Sequence, residues 1–392
     1  MVERTDVLVI GGGLLGTAIA WSVVSSGADT VVLEKDQVNR HASGQNAGSL
    51  HFQLEYRMIA NGLKEAQRAA EAMPLHLDAA QQWATLSGSI GEDLHVSAAG
   101  GLMLAENSEQ ALRLEEKIEL ERSWGLDVEL VTGSELHRRF PYLAPHVVAA
   151  AFCPIEGKAN SRLVAPALAR AAARRGASIR TRTTVTSIAR QGNRWRVGYH
   201  RDTSETVYIE ADSVVLAGGI WTDQLLAMLG VSLPVYPVAL TMVATVRARR
   251  ALPQLIQHVG ARLSLKQTGE GNFLIGGGWP ATFRSTVAGS PRLDVAPSLV
   301  ASSVQRSVLV AQRVLPELRS AAVLRMWTGA TTLTPDQLPL LGAVPGRSGI
   351  FVATGGSAFT LGPTFARLLA LLIMGVTPDL DITPYDPRRF ES

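Results

Sequence analysis

The sequence predicts an α/β protein in which two domains interleave along the chain. Three observations carry that expectation. The length of 392 residues exceeds what one ordinary core holds. A strand, a glycine turn, a helix and a second strand open the chain, and strand-into-glycine segments return near 218 and 355. Between them lies a strand-rich stretch of different texture, about 233–326.

The elements follow in order. Thr5 to Ile10 is a short β-rich run of the kind buried in a parallel sheet. Gly11–Gly16 supplies a turn, Thr17 to Ser26 a helix of small and apolar residues, and Thr30 to Leu33 the next strand. Residues 55–87 carry helical spacing, Gly100–Ala105 reads as a strand, and Ser108–Trp124 as a charged amphipathic helix. Strand-like runs near 127–131 and 147–152 precede an Ala/Arg-rich helix at 161–175. Strands near 177–188, 194–200 and 207–217 follow. The later region holds strands at 235–247, 262–267 and 272–276 and one helix at about 297–313. A Thr/Pro loop (328–339), a strand (350–353) and an apolar helix (363–374) complete the chain.

Composition excludes several classes. With 46% hydrophobic residues and a net charge of +3, disorder is not the main state. The single Cys153 rules out a disulfide framework, a four-cysteine zinc site and a cysteine-ligated iron–sulfur cluster within this chain. Cys153 itself reads as a small core residue, and no metal site is expected. The arginines are scattered with no aromatic–basic stripe, so nucleic acid is not an expected partner. The longest apolar run, Leu368–Val376, is about half of a membrane span. No signal-peptide pattern opens the chain, and a cytoplasmic protein is the expectation.

Four motifs carry chemistry. Gly11-x-Gly13-x-x-Gly16 follows a strand and opens a helix, and Glu34 ends the next strand. Glycines permit the turn, the approach of a pyrophosphate and close helix packing, while the acid accepts a ribose hydroxyl. Glutamate there favours FAD or NAD over NADP. The run His41–Gly48, small and amide-rich, lets a bulky cofactor pass close to the backbone and selects FAD. Val214–Trp221 is a strand into Gly218-Gly219, a second return to the cofactor. Last, Thr328–Pro339 precedes Phe351–Pro363, a strand, glycine turn and helix start whose positive end suits a reduced flavin.

In this order the motifs resemble the D-amino-acid oxidase superfamily of FAD-dependent amine oxidoreductases, in its glycine oxidase, sarcosine oxidase and D-amino-acid dehydrogenase branch. The resemblance implies a glutathione-reductase-type FAD-binding domain interleaved with a mixed, largely antiparallel β-sheet substrate domain. The corresponding division is 1–80, 150–225 and 325–392 for FAD, and 81–149 and 226–324 for substrate. Ser43-Gly44-x-Asn46-Ala47-Gly48 and the Gly355–Pro363 ending are similar to the flavin subunits of opine oxidases, D-hydroxyproline dehydrogenase and hydrogen cyanide synthase. That similarity implies a hetero-oligomer with iron–sulfur and second flavin- or NAD-type subunits. It also implies oxidation of a CH–NH bond in an opine or imino acid by hydride transfer to flavin N5, electrons passing to a partner or quinone. The alternatives are a glycine/sarcosine-type oxidase releasing peroxide and a non-catalytic FAD-binding subunit.

Two departures bear on this. Gly329 stands where sarcosine oxidase attaches flavin through cysteine, so FAD is expected to be non-covalent, although His41 lies near a histidine attachment point of some relatives. The strand Leu274–Trp279 lacks the oxygen-activating lysine, and Lys266 nearby reads as a surface residue on a strand. His258 reads as a solvated loop histidine.

The expected cofactor set is Gly11, Gly13, Leu14, Leu15, Gly16, Glu34, Lys35, Ser43, Gly44, Gln45, Asn46, Ala47, Gly48, Val185, Ala217, Gly218, Gly219, Trp221, Gly329, Asp336, Gly355, Gly356, Ser357, Ala358, Phe359, Thr360 and Leu361. His51, Gln53, Arg57 and Arg325 are the catalytic candidates, an arginine being the natural carboxylate clamp. Tyr236, Trp279 and Phe359 are the expected substrate lining.

Overall fold

The structure, a computed structural model, describes residues 2–201 and 205–391. Two eight-stranded sheets organise it. The first runs Leu340–Ala343, Ile350–Thr354, Val207–Leu216, Glu3–Ile10, Thr30–Leu33, Ser178–Arg180, with Thr183–Gln191 and Arg194–Arg201 attached as a hairpin. Its central pairs are parallel: Glu3–Ile10 lies between Val207–Leu216 and Thr30–Leu33. Ile350–Thr354 extends this parallel set.

The unbroken apolar sequence of the first strand follows from burial on both faces. Val7 and Val9 join one core with Leu14, Ile19, Leu168 and Phe365. Leu8 and Ile10 join another with Val31, Leu33, Ile209 and Leu226. The helix Leu14–Ser25 packs between Ser161–Arg174 and Gly362–Ile373. Its small residues, Ala18 and Ala20 among them, are buried there.

The second sheet runs Val323–Leu333, Tyr236–Arg247, Asn272–Gly276, Ser264–Gln267, Leu255–His258, Gly101–Ala105, Ala149–Cys153, Glu129–Thr132. Its pairs are antiparallel except Leu255–His258 with Gly101–Ala105. Val243, Ile256 and Phe273 form its core with Ala311 and Val314 of the helix Ala301–Val314. Cys153 is fully buried.

The strand pairing changes several expectations. Ala149–Cys153 and Val323–Leu333 belong to the second sheet, although the expected division put them wholly or mostly with the FAD-binding segments. Residues 328–333 are strand rather than loop, because Thr328–Leu333 pairs along Tyr236–Thr241. The expected strand Leu274–Trp279 ends at Gly276, and Gly277 and Gly278 turn away with φ of 112° and 82°. His258 is no loop residue: it is fully buried on a strand. Its Nδ1 accepts from Gly260 N, so Nε2 carries the proton and donates to Glu106 at 3.0 Å. Lys266 is 3% exposed rather than on the surface.

Candidate functional site

The strand ends of the first sheet converge on a cradle made largely of backbone. Gly11 has φ +118°, and a Cβ there would lie 2.3 Å from Ala217 O. A Cβ on Gly16 would lie 1.8 Å from Gly11 O, so only glycine lets the helix start this close to the strand. Gly13 precedes the helix in extended conformation without a capping side chain. Ser43 supplies the cap from elsewhere, its Oγ accepting from Leu14 N at 2.9 Å. Glu34 is 6% exposed and accepts from Gly12 N at 2.6 Å and Asp36 N at 2.7 Å. A second helix start meets the first: a Cβ on Gly362 would lie 2.8 Å from Leu14 Cδ2. Two helix N-termini therefore share this end of the sheet and favour negative charge there.

The sides of the cradle are set by residues 35–48 and 217–221. Lys35 Nζ stands 3.8 Å over the Trp221 ring, and His41 meets the same ring at 4.7 Å. His41 Nε2 also contacts Asp36 at 2.6 Å. Burial alone would raise the Asp36 carboxyl, but His41 and Lys35 hold it below its ordinary value. Ligand atoms of Glu34, Asp36 and His41 gather within 4.8 Å, an arrangement these contacts already explain. Asn46 fixes the next loop by accepting from Gly48 N at 2.6 Å and donating to Ser43 O at 2.7 Å. Trp327 Nε1 donates to Gln45 O at 2.8 Å, and Gly329 faces the Gln45 side chain. Gly44 sits against Asn39 O, while Leu15 and Ala217 are buried beside the cradle. Val185 is buried on the hairpin.

The far side is the turn after Ile350–Thr354. Gly355 has φ +124° against Pro339, and Ser357 has φ +58°. A Cβ on Gly356 would lie 3.1 Å from Arg57 Nη2. Arg57 donates to Gln337 Oε1 at 2.7 Å, Ser357 Oγ at 2.8 Å and Glu55 Oε1 at 3.2 Å. Phe359 stacks on Trp83 at 5.4 Å, and Trp83 Nε1 donates to Thr360 O.

The structure brings some expected residues together and disperses others. Arg57 reaches the turn. Gln53 does not face a cavity: it is fully buried, donating to Glu156 Oε2 at 3.0 Å and accepting from Lys117 Nζ at 3.0 Å. His51 is 7% exposed, with Nε2 2.9 Å from Ser264 Oγ. Arg325 lies at the exposed end of its strand, 5.6 Å over Trp327. Asp336 is taken up by Arg389 at 2.8 Å. Tyr236 is 40% exposed and Trp279 donates to Arg262 O, both on the second sheet or its following turn.

Sequence reasoning missed a set of charges behind residues 51–57. Glu156 Oε1 accepts from Phe52 N at 2.8 Å and Gln53 N at 2.9 Å, and Glu121 accepts from Leu54 N at 2.6 Å. Lys117 pairs with Glu121 at 2.7 Å. Burial pushes the Glu121 carboxyl up despite that lysine. It also missed Glu55. Burial acts to raise the Glu55 carboxyl, but Arg57 and His51, with the Ser357 hydroxyl, bring it down to about 2. Lys266 lies behind the loop at 43–48, where a Cβ on Gly48 would come within 3.2 Å of its Nζ. Burial, reinforced by Lys158, pushes Lys266 down to about 7. The signal available in sequence was the rarity of lysine: Lys117 and Lys266 are two of five.

A parallel sheet ending in a glycine cradle under two helix N-termini, faced by a second mixed sheet, defines a dinucleotide-dependent enzyme of two-sheet build. The chain belongs to the FAD dependent oxidoreductase (DAO) family, whose model matches residues 6–372. It is 29% identical over 393 residues to a glycine oxidase of Geobacillus kaustophilus, covering 99% of this chain and 98% of that one. It is 26% identical over 398 residues to a subunit of the opine oxidase of Rhizobium meliloti, covering 99% and 98%. The crystal structure of the Geobacillus glycine oxidase superposes with a TM-score of 0.85 at 26% identity over 99% of each chain. The protein is therefore an FAD-dependent oxidoreductase acting on amino acids or amines. No helix among the described residues is long and apolar enough to cross a membrane.

Proposed function

We propose that this enzyme oxidises the CH–NH bond of an opine- or imino-acid-type substrate and passes the electrons to a partner subunit or quinone. The observation that carries the reading is Arg57, a guanidinium against Gly356 at the turn facing the cradle. Its planar fork suits a substrate carboxylate. Similarity to opine oxidase subunits supports both the substrate class and a hetero-oligomer. Gly11, Gly13, Gly16 and Glu34 would hold the pyrophosphate and ribose, and residues 43–48 with Gly329 and 355–361 the ring system. The proposed division keeps the first sheet as the FAD-binding domain and the second as the substrate domain.

Bound FAD supplies the hydride acceptor. The residues supply position and charge. Arg57 holds the carboxylate, Gln337 and Ser357 hold Arg57, and the Glu156–Glu121 pair fixes the backbone that carries it. Trp327 fixes the loop carbonyl of Gln45.

Lys266 favours a second reading, an oxidase releasing peroxide. It is a buried amine behind Gly48 whose one hydrogen-bond acceptor among the described residues is Ala159 O, at 3.5 Å. A positive charge there would stabilise reduced oxygen species. Anaerobic bleaching of the holoprotein by opines, N-methyl amino acids, D-amino acids and cyclic imino acids tests the first reading. Slow reoxidation in air with fast reduction of an artificial quinone supports it. Rapid reoxidation with one peroxide per turnover establishes the oxidase instead.

A further inference from the structure

Glu55 is a carboxylate whose two oxygens have different fates. Oε1 accepts from Ser357 Oγ at 3.1 Å and from Arg57 Nη2 at 3.2 Å. Oε2 accepts no hydrogen bond among the described residues, and 28% of the side chain remains open. The Arg57 side chain beside it is 25% open. The chain neighbours Leu54 and Met58 are buried, as are His51 and His76, which interact electrostatically with Glu55, so the opening is flanked by buried groups. Nothing in the carboxylate's own structural duties requires that second oxygen.

Charge balance gives the pair a purpose. Glu55 already neutralises Arg57. A plain carboxylate drawn to Arg57 would leave Glu55 without its counter-charge in a poorly solvated place. A zwitterion avoids this, because its carboxylate meets Arg57 while its ammonium meets Glu55. In an α-amino acid both groups hang on one carbon, and Glu55 Oε2 belongs to the carboxylate whose Oε1 stands 3.2 Å from Arg57 Nη2. The backbone geometry is also fixed in advance, since residues 52–54 are pinned by buried carboxylates.

We propose that Glu55 is the cation-binding half of a zwitterion receptor, its Oε2 taking the substrate ammonium while Arg57 takes the carboxylate. The site then selects α-amino acids and their N-substituted forms as zwitterions, the dominant species in neutral water. The ammonium proton leaves to solvent before the C–H bond breaks. This rests on the reading of Arg57 given above and adds the amine side of recognition.

The test uses FAD-loaded protein and two ligands of one shape. α-Aminoisobutyrate has no Cα–H to lose, and pivalate replaces its ammonium by methyl. Perturbation of the flavin absorbance should show α-aminoisobutyrate binding about tenfold tighter, the range of a charged hydrogen bond. Glu55→Gln should reduce that preference to about threefold or less while pivalate affinity holds or improves. Equal affinity of the two ligands for the parent protein overturns the proposal, as does an equal loss of both in the variant. If neither ligand perturbs the flavin, the KM for a bleaching amine decides. A rise in KM that exceeds the fall in kcat supports the role, and an unchanged KM overturns it. Failure of every amine to bleach the flavin would instead defeat the proposed function.

Discussion

The cradle at the ends of the parallel strands and the wall at residues 51–57 meet the same site by opposite means. The cradle is largely backbone: Gly11, Gly13 and Gly16 work by lacking a side chain, where a Cβ would meet Ala217 O, Ser43 Oγ and Gly11 O. The wall is side-chain charge: Glu156 and Glu121 accept three successive backbone N–H groups, those of Phe52, Gln53 and Leu54, while Lys117 pairs with Glu121. A backbone cradle fails sterically and abruptly. A charged wall fails electrostatically, by an amount that depends on which partner is removed.

The largest effect is expected at the cradle. Gly16→Ala places a methyl 1.8 Å from Gly11 O and must separate helix from strand. The purified variant should be colourless and regain no yellow on incubation with FAD. A wild-type flavin-to-protein absorbance ratio would show that the cofactor does not depend on this approach.

The wall comes next. Lys117→Met leaves Glu121 buried without its cation, a loss of about 3–5 kcal/mol. Adding Glu121→Gln should restore much of it, because an amide oxygen still accepts from Leu54 N. Chemical denaturation of single and double variants measures the coupling, and simple additivity would mean the pair does not act as a unit.

At the end of the wall, Arg57 meets the turn after Ile350–Thr354. Arg57→Lys keeps charge but loses the fork shared among Gln337, Ser357 and Glu55. We expect kcat/KM for anaerobic flavin reduction to fall by roughly 10–100-fold with flavin content unchanged.

The smallest effect is pH-dependent and lies behind the cradle. Lys266 is held at about 7, below its ordinary 10.5, so the folded chain binds fewer protons than the unfolded one between those values. Stability therefore rises with pH through that window, and the cost of the lysine is complete below about 7 and gone above 10.5. Lys266→Met apoprotein should be more stable than the parent at neutral pH by about 1–3 kcal/mol. That advantage should shrink steadily in thermal melts toward pH 10.5.

The difference in legibility follows the same line. The glycine turn and Glu34 sit within one strand–helix–strand unit, where spacing along the chain is spacing in space. The strand Val323–Leu333 was not legible over its Thr and Gly residues. Its identity comes from pairing with Tyr236–Arg247, and one side of it meets the loop at 43–48 through Gln45. Gln53 reads as an active-site polar residue, yet the fold turns it inward to Lys117 and Glu156, from segments that no local pattern relates. His258 and Lys266 were misplaced for the same reason: a polar residue on a short strand does not announce which face it occupies.

Sequence by itself determined the glycine turn at Gly11–Gly16, where the dinucleotide is proposed to sit, because those residues are required by local backbone sterics. Tertiary structure decided what surrounds the reacting end. Arg57 and Ser357 are 300 positions apart, and Glu55 and Ser357 are 302. Only the tertiary fold, which sets residues 55–57 against the turn after Ile350–Thr354, brings such charges into contact.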